Sequence, residues 1–259
     1  MSLLSVRGLA KRFGGVRAAD GVSFDVAEGA IAGLIGPNGA GKTTVFNLVT
    51  GNTRPDAGRV VFDGTDVTGW RPHRVVARGI ARTFQAIRLF GSMTVLENVL
   101  VGADAHLSSG LLASILGTPG QRREERRARE EAFEALALVG LAERAARAAG
   151  SLAHGERRRL EIARALAARP KLVVLDEPAG GLNEAETAGL AALVRRVRER
   201  GVTVLLIEHD MSLVMGVCER IVVLEDGRKI AEGSPAEVRA DPRVVEAYLG
   251  AGEEDDECA

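Results

Sequence analysis

Residues 30–50 read AIAGLIGPNGAGKTTVFNLVT. Within them GPNGAGKT, Gly36 to Thr43, matches G-x-x-x-x-G-K-[ST] and stands between an apolar strand pattern, AIAGLI, and a helix pattern, TTVFNLVT. Glycines at those positions let the backbone turn so that successive N–H groups point inward, beside a helix N-terminus that adds its own positive end. Such a nest suits a triphosphate. On this reading Gly36, Pro37, Asn38, Gly39, Ala40 and Gly41 wrap the phosphates and Lys42 reaches the β- and γ-phosphates. Thr43 ligates Mg²⁺ and Thr44 adds a hydroxyl contact to phosphate. A glycine-rich turn with a chance lysine would not need the strand before it and the helix after it. The pattern points strongly to P-loop nucleotide chemistry and weakly to any one reaction.

Outward from the loop, the chain reads as an α/β protein. Upstream, LLSVRGLA and GVSFDVAEG have strand character; downstream, VVFDGTDV carries the hairpin signal Asp63-Gly64. From about 92 to 150 the pattern turns helical: ENVLVGADAH, a Ser/Gly/Pro-bearing loop LSSGLLASILGTPG, then QRREERRAREEAFEALALVG, whose mixed charges fit a solvated face. After it, strands and helices alternate through KLVVLD, a helix near 184–200, VTVLLIE, a helix from about 210, IVVLEDGRKIAEG with its Asp226-Gly227 turn, and a last helix ending at AYLG. The unbroken apolar runs LVVL and VLLI predict strands covered on both faces, as in a parallel sheet.

Composition limits the classes of function. At 259 residues with a net charge of −1, the chain is large enough for a full α/β core and too evenly charged to coat nucleic acid. One Trp and one Tyr offer few surfaces for stacking bases. No apolar run is long enough to cross a bilayer, and MSLLSVRGLAKRF lacks a signal peptide's apolar region, so the expected compartment is the cytosol. Cys218, in an apolar helical pattern, and Cys258, in an acidic tail expected to be disordered (EEDDECA), have no metal-ligand spacing.

Two further segments carry chemistry. KLVVLDEP ends an apolar strand on Asp176 and Glu177, at the sheet end where α/β proteins bind ligands. Asp176 would hold Mg²⁺, directly or through water, and Glu177 would act on the attacking water as general base or positioner. VTVLLIEHD repeats the arrangement and sets His209 behind an apolar run, where a loop or capping role is the plain alternative. SLAHGERRRLEIARAL, 151–166, is open to two readings: a basic amphipathic helix for nucleic acid or membrane, or a helix whose N-terminus meets a phosphate.

Taken in order, these residues resemble the ATP-binding cassette (ABC) ATPase family over almost the whole chain. Phe13 in KRFGG resembles the aromatic that stacks on adenine, and Gln85 in ARTFQ the glutamine that touches Mg²⁺ and senses a transmembrane partner. LAHGE, 152–156, occupies the signature position, so the resemblance assigns Ala153, Gly155 and Glu156 to the ATP of a facing subunit. GGLN, 180–183, stands where a loop crosses to the partner ATPase, and His209 where a histidine senses the γ-phosphate. Two positions depart from the common pattern: Ala153 where serine is usual, and Asn183 where many cassettes have aspartate.

The resemblance implies a P-loop cassette with a RecA-like parallel-sheet core, an N-terminal antiparallel β subdomain and an inserted α-helical subdomain. It implies one ATPase domain over 1–252, with 1–91 and 151–252 as the catalytic core plus β subdomain, 92–150 as the helical subdomain, and 253–259 as a tail. Its ligands would be ATP and Mg²⁺. Within the family, ARTFQAIRLFGSMTVLENVLVGADAH, LEIARAL, DEPAGGLN, LIEHDMSLVMGVCERIVVLEDG and AYLG are similar to the longer ATPase of branched-chain amino acid importers. Related urea and amide importers share the EHDM pattern. Implied partners are a second cassette, paralogous or identical, in a head-to-tail ATP sandwich; two permeases; and, indirectly, a solute-binding protein. Nucleic acid is not expected, and the place would be the inner face of the membrane. Leu89, Phe90 and Met93 are candidates for a permease-docking groove, against ordinary core packing. A DNA-maintenance or translation cassette is the alternative, but this chain has neither a long coiled-coil insertion nor a second cassette. A small-metabolite kinase would need an acceptor pocket that no motif supplies.

Overall fold

Strands β1 (Ser2–Phe13), β2 (Val16–Ala27), β4 (Ala57–Phe62) and β5 (Thr65–Asp66) form an antiparallel sheet in the order β2-β1-β4-β5. The second sheet runs β10-β9-β3-β8-β7-β6. In it β9 (Arg220–Glu225), β3 (Ile31–Ile35), β8 (Thr203–Ile207), β7 (Leu172–Asp176) and β6 (Ile80–Arg82) are parallel, and β10 (Arg228–Gly233) is added antiparallel at one edge. This computed structural model describes residues 2–103 and 119–250; most of the expected loop at 107–120, and the tail with Cys258, lie outside the described residues.

The apolar runs LVVL and VLLI lack a polar position because both faces of the parallel sheet are covered. Leu172, Val174, Leu205 and Ile207 point into a core shared with Leu4, Val6 and Phe24 of the antiparallel sheet and with Phe46 of α1 (Lys42–Val49). Val173, Leu175, Val204 and Leu206 point the other way, into a core shared with helices. Those helices include α3 (Val95–Ala103), α4 (Pro119–Leu138) and α5 (His154–Ala167), through Val99, Ala132, Leu136 and Leu160. Thus α5, although it follows residue 150, packs with the helices that precede it.

Turn chemistry follows the sequence. Asp63 (φ 47°) and Gly64 (φ 71°) are both left-handed, as are Asp226 (φ 46°) and Gly227 (φ 75°), which is the backbone of a two-residue hairpin that matches strand twist. The remaining helices are α6 (Glu184–Glu199), α7 (Met211–Val217), α8 (Pro235–Ala240) and α9 (Pro242–Gly250). Two short elements carried no readable pattern: α2 (Pro72–Arg78) and β6, the latter only three residues long. Cys218 is buried, and burial pushes its thiol up to about 12, which leaves it inert.

Candidate active site

The phosphate loop links β3 to α1, and its shape excludes side chains at two glycines. A Cβ on Gly36 (φ 149°) would fall 2.1 Å from the Leu224 carbonyl oxygen, and one on Gly41 (φ 93°) 2.2 Å from that of Ala18. The loop edges a cavity of about 530 Å³ lined by Val16, Arg17, Ala18, Asn38 to Thr44, Gln85, Glu177 and Asp226. That is room for a nucleotide-sized ligand. Lys42 is 7% exposed; its Nζ donates to the Gly36 carbonyl at 2.6 Å and the Pro37 carbonyl at 2.8 Å. Burial pulls its ammonium below the ordinary lysine range, opposed by the nearby charge of Glu177. A cation held at such cost inside a ring of amides suits a polyanion.

Across the cavity β7 delivers the two acids. Asp176 is 2% exposed, and burial raises its carboxyl, with Arg82 working against the rise. Arg82 Nη2 lies 3.4 Å from Asp176 Oδ2, while its Nη1 donates to Asn47 Oδ1 at 2.7 Å and Thr50 Oγ1 at 3.1 Å. Its guanidinium also lies over Phe46, 4.2 Å from the ring centroid. Arg82 therefore fixes α1, and with it the phosphate loop, relative to Asp176. Glu177 sits at φ 46°, a left-handed backbone that costs a non-glycine residue on the order of 1 kcal/mol. Its N–H donates to the Ile207 carbonyl at 2.8 Å and its own carbonyl accepts from Gly180 N–H at 3.2 Å, which hold that conformation. The side chain is aimed at Gln85, whose Nε2 donates to Glu177 Oε2 at 2.8 Å.

The arginines of α5 are engaged within the chain. Arg157 donates to the Leu152 and Gly150 carbonyls at 2.9 and 2.8 Å, and Arg159 to that of Val139 at 3.3 Å. Arg158, 6% exposed, donates to the Phe84 carbonyl at 2.9 Å and the Gln85 carbonyl at 2.7 Å. It also pairs with Glu161 Oε2 at 3.1 Å, and Glu161 Oε1 accepts the Arg88 N–H at 3.0 Å. One buried ion pair on α5 thus holds the backbone that carries Gln85.

The other expected site residues lie around this centre. Phe13 ends β1, is 52% exposed, and has Lys11 Nζ 5.6 Å from its ring centroid; the strand partner Val16 lines the cavity. Ala153 is the N-cap of α5 and Gly155 lies in its first turn, against Glu186. Glu156 is turned back onto its own helix end, accepting from Ala153 N–H at 3.1 Å and from Arg144 at 2.7 Å. Asn183 caps α6, accepting the Glu186 N–H at 2.9 Å. His209 is largely exposed beyond the end of β8, outside the residues that line the cavity. Of the three docking candidates, Met93 lines an apolar groove of about 390 Å³ with Glu97, Leu100, Val101, Glu125, Ala128 and Arg129. Leu89 packs on the core and Phe90 is half exposed. Arg82, Arg158, Glu161 and Glu208 stand outside the motif positions assigned above. The available signal was a charge set against apolar neighbours, as Glu208 is after VLLI.

A family model described as ABC transporter matches residues 19–180, from β2 to beyond Glu177. The chain belongs to the ABC transporter family. A second model, described as branched-chain amino acid ATP-binding cassette transporter, matches residues 228–254. The cassette is 49% identical over 249 residues to the high-affinity branched-chain amino acid transport ATP-binding protein BraF of Pseudomonas aeruginosa, covering 96% of this chain and 98% of that protein. It is 46% identical to the corresponding protein LivG of Escherichia coli, with the same two coverages. Among solved structures it is similar to the ADP conformation of MJ1267, an ATP-binding cassette of an ABC transporter, with a TM-score of 0.85 and 36% identity over 96% of this chain and 99% of that one. A dimeric post-hydrolysis state of the cassette MJ0796, bound to ADP and Pi, matches with a TM-score of 0.74 and 25% identity over 90% and 98%. The expected α/β cassette fold and family are borne out, and the cassette is a nucleotide-binding ATPase of this family.

Proposed function

We propose that this cassette is the ATP-hydrolysing subunit of an importer for branched-chain or other hydrophobic amino acids. The hydrogen bond between Gln85 and Glu177 at the edge of the phosphate-loop cavity carries the reading, because it ties the residue that would sense the permease to the carboxylate that would act on water. The amino acid class rests on the names of BraF and LivG and on the match over 228–254. ATP would lie in the phosphate loop, its adenine against Phe13, with Lys42 on the β- and γ-phosphates and Thr44 beside them. The donor set fits Mg²⁺, which takes phosphate oxygens and few protein ligands: Thr43, Gln85 and the buried Asp176. Bound there, the ion would offset charge on the phosphates. Glu177 would accept the proton of the attacking water or orient it, and His209 would contact the γ-phosphate.

A second cassette, identical or paralogous, would complete each site with Ala153, Gly155 and backbone donors at the N-terminus of α5, where the helix end favours an anion. The dimeric form of MJ0796 supports this arrangement. The segment 92–150 would act as the helical subdomain, with the groove at Met93 receiving a permease segment. Among the described residues no helix is long and apolar enough to cross a membrane, so the two permeases would hold the cassette at the inner face. A solute-binding protein would deliver the amino acid from outside.

Glu177→Gln is expected to keep ATP binding, lower turnover by roughly 10²-fold or more, and trap an ATP-bound dimer. ATP binding by equilibrium dialysis, phosphate release and size-exclusion chromatography read the three effects. Normal turnover in that variant refutes the role of Glu177. Stimulation by the cognate permeases in lipid separates the importer from a DNA or ribosome ATPase, which nucleic acid or ribosomes would stimulate instead.

A further inference from the structure

We propose that Glu208 is a positioning residue that fastens the loop Glu177–Asn183 to the turn carrying His209, so that the two shift as one unit. Its carboxylate is 0% exposed at the end of β8. Oε1 accepts the Ala179 N–H at 2.7 Å; Oε2 accepts the His209 N–H at 3.1 Å and the Asp210 N–H at 3.3 Å. Each oxygen thus serves one loop, and the loops are 29 residues apart in the chain. Among the described residues, its cationic neighbour is the His209 ring, with Nδ1 at 3.9 Å from Oε2. A buried carboxylate satisfied mainly by backbone N–H groups makes separation of either loop costly, because the departing loop leaves a charged acceptor short of donors.

A simple staple between strand ends is already present, since Glu177 N–H bonds the Ile207 carbonyl at 2.8 Å. Glu208 adds a second attachment two residues further on, beyond the sheet, where the chain has left β7. On the far side of the same loop, His154 Nε2 lies 3.1 Å from the Gly180 carbonyl, so the fastened unit extends to the N-terminus of α5. A displacement at His209 would then reach the helix end that faces a second subunit. The attachment itself does not depend on the proposed importer function; its effect on turnover does.

The test is amide hydrogen exchange on nucleotide-free protein, joined to steady-state ATPase kinetics. In the unaltered protein Ala179 and Asp210 amides should show protection within about threefold of each other, since one opening releases both. Glu208→Gln turns one acceptor oxygen into a donor and should accelerate exchange in one of the two loops by about tenfold or more. Glu208→Thr leaves no buried charge and is too short to reach Ala179, while its hydroxyl can still accept the N–H two residues on, that of Asp210; exchange should rise by more at 179–181 than at 210. Both variants should keep exchange in β1 unchanged, lower kcat by about tenfold, and leave KM for ATP within about twofold, because the hydrogen bonds of Glu208 go to Ala179, His209 and Asp210 rather than to the phosphate loop. Protection differing by more than about tenfold between Ala179 and Asp210, unchanged exchange at 179–181 in both variants, acceleration that spreads to β1, or a raised KM with unchanged kcat would each overturn the proposal. An unaltered protein that hydrolyses no ATP would refute the proposed function and leave the exchange result to decide the attachment.

Discussion

Ala153 occupies the N-cap of α5 with the extended backbone of a capping residue (φ −63°, ψ 162°) and has no side-chain acceptor. Half of a capping box is nevertheless present, because Glu156 accepts the Ala153 N–H. Serine at 153 would complete it by accepting from the third helical N–H. Ala153→Ser is therefore expected to stabilise the folded cassette by about 1 kcal/mol, read as a higher thermal midpoint of the monomer. Its effect on ATP-driven dimerisation is a separate measurement: tighter dimers would show that the missing hydroxyl limits closure, and unchanged dimers that the backbone donors suffice. The same residue was conspicuous in the sequence as a departure from the family pattern, but its capping geometry was not. Capping depends on the φ and ψ of one residue and on where Glu156 turns, and neither follows from the residue's identity.

At the scale of the element, α5 explains what its arginines do. Spacing along the helix predicts an apolar face at Leu160, Ile162, Ala163 and Leu166, but not that Arg158 and Glu161 lie within the packed layer at 6% and 1% exposure. Burial is the larger influence on Glu161 and raises its carboxyl; the Arg88 N–H and Arg158 pull it back. Removing one partner strands the other, so Arg158→Met is expected to destabilise the cassette by about 3–5 kcal/mol. Adding Glu161→Leu should recover part of that loss. Urea midpoints of the two single variants and the double variant measure the coupling. Arg158→Lys should fold better than Arg158→Met yet lose a contact to Phe84 or Gln85, because an ammonium lacks the planar fork that spans both carbonyls. A periodic pattern reveals which face is apolar. It does not reveal which charge the neighbouring loop will cover.

Across the whole molecule, exposed ion pairs join the two sheets. Asp20 of β2 is held below the ordinary carboxylate range by Arg228 of β10. Asp63, in the β4–β5 turn, is held low by Lys171 just before β7. Carboxyls depressed in this way contribute stability above their unfolded value of about 4 and lose it as pH falls through the lower folded values. Asp176 and Glu208 run the other way: burial raises both, so they favour folding most in acid and lose that contribution as pH rises through their raised values. Stability should therefore change little or rise slightly from pH 7 toward 5, then fall below about pH 4 as the inter-sheet pairs discharge. Thermal midpoints between pH 3 and 7 check this. At about 1 M salt the acid loss should shrink, since the pairs at Asp20 and Asp63 are exposed to screening.

Contiguous residues are enough to dictate the phosphate loop, most of the strands and helices around it, the acid pair at the end of β7 and membership of a family. Glycines that no Cβ can replace, apolar runs covered on both faces and Asp-Gly hairpins are local demands with local signatures. Packing between distant segments sets where the buried charges go: Arg82 to Asp176, Arg158 to the backbone of Phe84 and Gln85, Glu208 to Ala179. In each contact at least one partner is a polar group whose chemistry is the same at any position. Its worth comes from the exclusion of water, which exists only after distant segments have packed together.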